Sequence, residues 1–562
     1  MRRSLATMMA LLALVRPALA ADPSPLSGRA IFLGGGPDPE ALLAEALNQA
    51  AGAATRVLVL PMASARPELA AMAYEKVFRD LGVTCETLPV RQRGDAMQPA
   101  LVRLVAAADL VFMTGGDQNR LREVLADTPL QGALAASWRR GQVLMGTSGG
   151  AMAWGSQMLA GGSTTEALAG TPGFELRPGL DQLPDWLVDT HLGQKDRLGR
   201  LLMGLARGGG KQALGLDEQT MAMLDDKAIA VRGLGLVHLL RPTEEMPPVT
   251  AGPNWTALGP FRWHRLLGGD RLTWADEPRG PVAGKSATES RGGGFLGFGG
   301  QIKEVRRLGS PGQPVTLLGM PPTSPRQPGL PAFVRDAGGS QASILTLAGR
   351  SEAVVAEHWK EHMLLAGARK VRIVGADSLI EETLSGELAQ ATGLFVVDDL
   401  AGSILNRALQ DGGRLRALLQ QYGERLPIAA AGPGIRSLGE WSLRGQPSRE
   451  AVRVEEGLRL VRGMVAEANL PAGDPLERLT HAVLKDEDLL GLGLSDGTTL
   501  RLDHDQIQVL GRGQAWFIDG RGVTRKTLPA AGIRRPVAAV GLTLSILPPE
   551  GVFEVARRRP RR

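Results

Sequence analysis

The chain of 562 residues contains one cysteine, Cys85. It can therefore build no intramolecular disulfide and no cysteine-based zinc site, and Cys85 reads as a buried packing residue. Aromatic residues are scarce, at 4%, so leucine, valine and alanine must fill the cores. After the first twenty residues no segment reaches the roughly 18 uninterrupted apolar residues of a membrane-spanning helix. A strong charge of one sign is missing too. The formal charge is +6, but Arg2, Arg3 and Arg16 lie in an apparent leader and Arg557, Arg558, Arg559, Arg561 and Arg562 form a basic tail; without these eight it becomes −2. The body is near neutral, which argues against a nucleic-acid partner, and the tail, 557–562, reads as a solvated end.

What is present is ordinary for folded domains: 43% hydrophobic and 22% charged residues. The length allows about three to five domains, or two large ones. Residues 1–20 have the layout of a secretory signal. Arg2 and Arg3 precede a short apolar stretch from Leu5 to Val15, and Ala18-Leu19-Ala20 is a cleavage site. The expectation is export to the periplasm or beyond, with no membrane attachment after cleavage.

The first half alternates short apolar runs with helical patterns. Ala30 to Leu33, Arg56 to Leu60, Leu110 to Met113 and Gln142 to Met145 read as strands, with helices over Glu40 to Ala51 and Leu69 to Leu81. That alternation predicts an α/β fold, a mostly parallel sheet with helices on both faces. The second half repeats the order, with strands expected at Pro314 to Leu318, Ser343 to Leu347, Leu394 to Val397 and Ile428 to Ala431. Residues 191–220 align without gaps on 469–498, and Leu192, Asp196, Leu198, Arg200, Leu201, Leu214, Gly215, Leu216 and Thr220 fall on identical residues. Leu266 to Asp270 matches Leu547 to Gly551. The inference is a duplicated domain, 27–276 and 303–556, joined by a Gly/Pro/Ser-rich linker at 277–302.

Gly146-Thr147-Ser148-Gly149-Gly150-Ala151 follows a strand and opens a helix. Such an elbow presents its central residue at the carboxyl edge of a sheet, with the next N–H aimed at the same spot. Taken alone it reads equally well as a turn or as a nucleophile. His191 and Glu218 each end a short apolar run, and each could be a loop residue. In the repeat, Ser148 falls opposite Gly432, His191 opposite Asn469 and Glu218 opposite Asp496, while framework leucines persist. Residues needed only for structure would be needed twice. One working site and one relic is the expectation.

At this point the sequence resembles cyanophycinase and the related dipeptidase E group of serine peptidases. The resemblance rests on Phe112-Met113-Thr114-Gly115-Gly116-Asp117-Gln118, the Ser148 elbow, the stretch Asp189 to Leu201 and Gly215 to Thr220. It implies two class I glutamine amidotransferase-like domains. It also implies Ser148 as nucleophile, His191 as general base and Glu218 as the acid that orients it. Oxyanion N–H groups would come from Gly116 and Gly149. The substrate site would involve Asp117, Gln118, Asp189, Thr190, Gln194, Arg197 and Arg200, with Asp189 suited to a guanidinium and the arginines to a carboxylate. The implied activity is hydrolysis of cyanophycin or related β-aspartyl peptides, releasing β-Asp-Arg dipeptides, with no metal and no cofactor. Gly150, Thr190 and Lys195 depart from the family pattern, which has alanine, glutamine and arginine there.

Two other readings stay open. One is an α/β-hydrolase esterase using Asp185 and His238, and the other is a non-catalytic peptide-binding protein. The second half is expected to pack on the first as a built-in partner, a pseudo-dimer within the chain, with a homodimer as the other possibility.

Overall fold

The computed structural model describes residues 28–277 and 313–561, apart from 51–54, 244–248, 250–251, 253, 320–327, 445–451, 469–474, 504 and 530–535. Residues 1–20, expected as a leader, and most of the expected linker lie outside the described residues.

The first half opens with β1 (Ala30–Leu33), β2 (Arg56–Leu60), β3 (Thr84–Thr87), β4 (Leu110–Met113) and β5 (Val143–Thr147). β6 (Gln157–Gly161) and β7 (Glu175–Pro178) form a hairpin. Then come β8 (Trp186–Thr190), β9 (Gln212–Leu216), β10 (Thr220–Leu224), β11 (Ala228–Gly233), β12 (Leu236–Pro242), β13 (Leu258–Leu267) and β14 (Arg271–Thr273). One sheet runs β14-β11-β10-β1-β5-β4-β2-β3. Strands β1 to β5 are mutually parallel and β10, β11 and β14 add antiparallel edges. Full burial of β1, β4 and β5 on both faces explains their unbroken apolar sequences. Helices Glu40–Ala50 and Pro67–Asp80 cover one face through Leu43, Leu47 and Phe78. Helices Pro99–Ala107, Gln118–Leu125 and Pro129–Arg139 cover the other through Leu101, Leu121 and Leu134.

The second half has β15 (Val315–Leu318), β16 (Ser343–Ala348), β17 (Lys370–Gly375), β18 (Gly393–Val397), β19 (Ile428–Ala431), β20 (Trp441–Arg444), β21 (Arg453–Glu456) and β22 (Met464–Ala468). It continues with β23 (Leu490–Leu494), β24 (Thr498–Asp503), β25 (Gln506–Gly511), β26 (Ala515–Asp519), β27 (Arg525–Thr527), β28 (Ala538–Leu547), β29 (Val552–Glu554) and β30 (Arg559–Pro560). Its sheet runs β17-β16-β18-β19-β15-β24-β25-β29-β30, the strand order of the first sheet from β3 to β11. Irregular details recur as well. Gly34 donates to Thr220 O at 2.9 Å and Gly319 to Thr498 O at 2.8 Å. Gln219 and Gly497 both have positive φ, as do Asp181 and Arg459.

A third sheet was not expected from the sequence. It runs β22-β23-β26-β28-β13-β12-β9-β8, with four strands of each half along this path and β27 pairing with β28 beside it. The halves meet where β13 pairs antiparallel with β28, with Arg262 opposite Thr543 and Trp263 opposite Leu542 near the middle of both strands. The faces of this seam are dry: Phe261, Trp263, Leu542 and Leu544 are fully buried in a core cluster that draws on both halves. His264 Nδ1 accepts the Gly541 N–H at 3.1 Å across it. Arg265 is buried, donates to Val537 O and pairs with Glu477 of the second half.

Two boundary expectations are corrected. Glu277, placed in the linker, is 4% exposed and held by Arg241 and His264, so it belongs to the first half. The basic tail is not a solvated end. Arg559–Pro560 is a strand of the second sheet, and Arg558 is buried with Nη2 on Asp488 O. Burial lowers Arg558 to about 10. Arg557, Arg559 and Arg561 surround Glu554. Cys85 is half-buried rather than buried, and its thiol is pushed up to about 12, chiefly by burial.

Candidate active site

Three loops at the carboxyl ends of β1, β5 and β8 converge with the turn after β9. Ser148 directly follows β5 and precedes the short helix Gly149–Met152. Its φ is 51° and ψ −124°, a conformation that non-glycine residues adopt only when their surroundings force it. Its N–H is tied to Leu33 O at 3.1 Å. In the second half Gly432 follows β19 with φ 52°, so the same elbow is kept with no side chain to present. His191, just beyond β8, also has positive φ, 52°, and donates its N–H to Gly34 O at 3.2 Å.

These constraints bring three side chains into line. Ser148 Oγ lies 2.8 Å from His191 Nε2, and His191 Nδ1 lies 2.7 Å from Glu218 Oε1. With the carboxylate accepting at Nδ1–H, Nε2 is left to accept from the hydroxyl. The ring is half-buried, and its pKa is lowered, first by burial and then by the Lys195 and Arg197 charges against the raising effect of Glu218. A base kept neutral at neutral pH is the result. Asp217, next to Glu218, faces inward. Its two oxygens accept the Gly193 and Leu236 N–H groups, both at 2.9 Å, and burial raises its pKa. It braces the turn that follows His191.

The Gly116 and Gly149 loops touch: a Cβ on Gly149 would stand 2.1 Å from Gly116 O. Among the described residues neither N–H has a backbone acceptor, so both are available at the mouth of the elbow. Asp117 is exposed and caps the helix that starts at Gln118 by accepting from Asn119 N. Gln118 donates to Leu159 O at 2.6 Å, leaving its oxygen as an acceptor. Gln194 is turned to Glu218, whose N–H it accepts at 2.9 Å. Arg197 is partly exposed and donates to Thr190 O at 2.8 Å.

Direct substrate contact does not fit three of the expected residues. Asp189 is 0% exposed and Thr190 0%, while Arg200 is 4% exposed. The Arg200 fork grips both Asp189 oxygens, with Nε to Oδ2 at 2.7 Å and Nη2 to Oδ1 at 2.6 Å. A guanidinium and a carboxylate that satisfy each other under cover have nothing left for a ligand. The esterase alternative fares no better. His238 is buried, stacks on Trp263 and accepts from its Nε1, while Asp185 pairs with Lys211. The Ser148 hydroxyl is engaged by His191 instead.

One participant escaped the sequence reading. Gly35 has φ +85°, and a Cβ there would lie 2.6 Å from His191 Cε1 and 3.3 Å from Ser148 Cβ. Gly34-Gly35-Gly36 directly follow the strand Ala30 to Leu33, but nothing in that run says that it lies against a histidine far along the chain. Asn469, opposite His191 in the repeat, lies outside the described residues, and Asp496 follows β23 as Glu218 follows β9.

Comparison with known proteins shows the family. The model of "Peptidase family S51" matches residues 31–232. The chain is 34% identical over 226 residues to the cyanophycinase of a Nostoc species, covering 38% of this chain and 74% of that protein. It is 34% identical over 223 residues to the cyanophycinase of Synechococcus elongatus, covering 39% and 69% respectively. A crystal structure of a peptidase from an acI-B1 actinobacterium aligns over 45% of this chain and 98% of that one, with TM-score 0.34 and 19% identity. A matched family segment that ends just beyond the Ser148, His191 and Glu218 cluster, and relatives covered over most of their length, place the chain among the S51 serine peptidases.

Proposed function

We propose that the chain is an exported serine exopeptidase that hydrolyses cyanophycin or related β-aspartyl peptides, releasing β-Asp-Arg dipeptides. The observation that carries the mechanism is the unbroken relay from Ser148 Oγ through the His191 ring to Glu218, at 2.8 and 2.7 Å. His191 Nε2 takes the Ser148 proton as Oγ attacks the scissile carbonyl. Glu218 holds the ring and stabilises the imidazolium that forms. The N–H groups of Gly116 and Gly149 receive the oxyanion. The imidazolium then protonates the leaving amine, and water, deprotonated by the same ring, releases the acyl group. Arg197 and Lys195, both near His191, suit an anionic substrate.

The substrate assignment draws on the relatives, which are cyanophycinases. Its test is product analysis on purified cyanophycin. Dipeptide release by the wild type and none by Ser148→Ala is expected, and intact polymer with the wild type would overturn the substrate.

The two halves are read as a tandem duplication in which the second has lost its nucleophile and serves as a fixed partner. The shared strand order and the β13–β28 seam support this. Export rests on the leader at residues 1–20. Periplasmic or extracellular recovery of a chain beginning near Ala21 is expected, and recovery in the cytoplasm with Met1 intact would refute it.

A further inference from the structure

The Asp189–Arg200 pair has a counterpart where there is no nucleophile to serve. Strand β22 runs parallel to β23 as β8 runs parallel to β9. On it Glu467 holds the place of Asp189, and Arg478, on the helix Pro475–Lys485, holds that of Arg200. Glu467 is 1% exposed and accepts from Arg478 Nε at 3.0 Å and from Arg436 Nε at 2.5 Å. That half has Gly432 at its elbow. An ion pair retained there, with a longer carboxylate and an added arginine, answers to architecture and not to a ligand.

In the first half the same architecture reaches the base. Asp189 Oδ1 accepts the N–H of Thr190, the residue before His191, at 2.8 Å. Arg200 ties the strand to Gly162 O at 2.6 Å. Arg197 spans Thr190 O and Asp189 Oδ1. Together they pin the end of β8 at the point where His191 must turn to a φ of 52°. Such a conformation persists only where neighbours over-determine it.

We infer that Asp189 and Arg200 are positioning residues for His191, acting through the end of β8, and do not contact substrate. The inference rests on Ser148 and His191 being the reacting pair. An uncharged alkyl fluorophosphonate tests it, because it reacts with an activated serine and offers nothing for Asp189 or Arg200 to recognise. Its rate of labelling Ser148 is measured with kcat, KM and thermal midpoint for the full-length wild type, Asp189→Asn, Arg200→Lys and Glu467→Gln.

Expected are labelling and kcat slowed roughly a hundredfold in Asp189→Asn and Arg200→Lys, with KM within about threefold of wild type. Glu467→Gln lowers the melting temperature to a similar extent while labelling and kcat stay at wild-type values. Raised KM with unchanged labelling would make the pair a substrate contact and overturn the inference. Equal slowing in Glu467→Gln would reduce the pair to general scaffolding and overturn it too. If Asp189→Asn does not fold, Arg200→Lys decides, since it keeps the charge and loses the two-pronged fork. Wild type left unlabelled at Ser148 would instead refute the reading of the site itself.

Discussion

At the scale of single residues, the site depends on close approach as much as on chemistry. Ser148→Ala removes the attacking atom, and peptidase activity is expected to fall by about a thousandfold or more. Asp496→Asn, at the corresponding place in the second half, leaves kcat/KM unchanged; equal losses would contradict a single working site. Gly35→Ala sets a methyl against the His191 ring, where 2.6 Å is available. It should cost roughly a hundredfold in kcat with the fold intact, read from steady-state kinetics beside circular dichroism. His191 must be neutral to act, and its pKa is held down chiefly by burial, with Lys195 and Arg197 contributing. The acidic limb of kcat/KM is therefore expected below pH 6.5, the ordinary value for histidine. Arg197→Ala and Lys195→Ala should each move that limb toward higher pH, and a shift toward lower pH would sink the electrostatic account.

At the scale of elements, the strands around the site could be read from sequence because buried parallel strands are continuous apolar runs. The glycine-flanked serine was legible for the same reason that it works: an elbow this tight needs small neighbours. Asp189, in β8, and Arg200 beyond it were misread. An Asp and an Arg near a histidine look alike in sequence whether they face a ligand or each other, and burial alone separates the two. The C-terminal arginines misled in the opposite direction, since their charge suggested solvent while Arg558 is buried and its guanidinium reaches Asp488 O. Removing residues 557–562 takes away β30 and this contact. A loss of about 1–3 kcal/mol in unfolding free energy is expected by chemical denaturation, against none for a free tail.

At the scale of the whole molecule, no local pattern announced that β13 would pair with β28 of the other half. Which edges meet is set by partners more than two hundred residues away. The consequence can be tested on residues 22–280 alone. Without β28, β13 becomes a long unpaired edge whose first nine residues are buried in the intact chain. The fragment should aggregate or pair with itself through β13, and a monomeric, fully active fragment would deny the second half its packing role. Two buried histidines near the seam, His238 and His264, have pKa values lowered by burial. Unfolded, they take up protons below about pH 6.5; folded, they resist. Stability present above that pH should therefore fall as the solution is acidified, and a melting temperature flat between pH 7 and 5 would rule this out.

The ladder between β13 and β28 lies at the centre of the shared sheet's main path, with three further strands beyond it on each side. Its amide hydrogens should be the last to trade with deuterated solvent, and those of both halves should do so at one common rate. The chain would then lose its structure from the outer layers inward, with a single spine, drawn equally from each half, holding until the end.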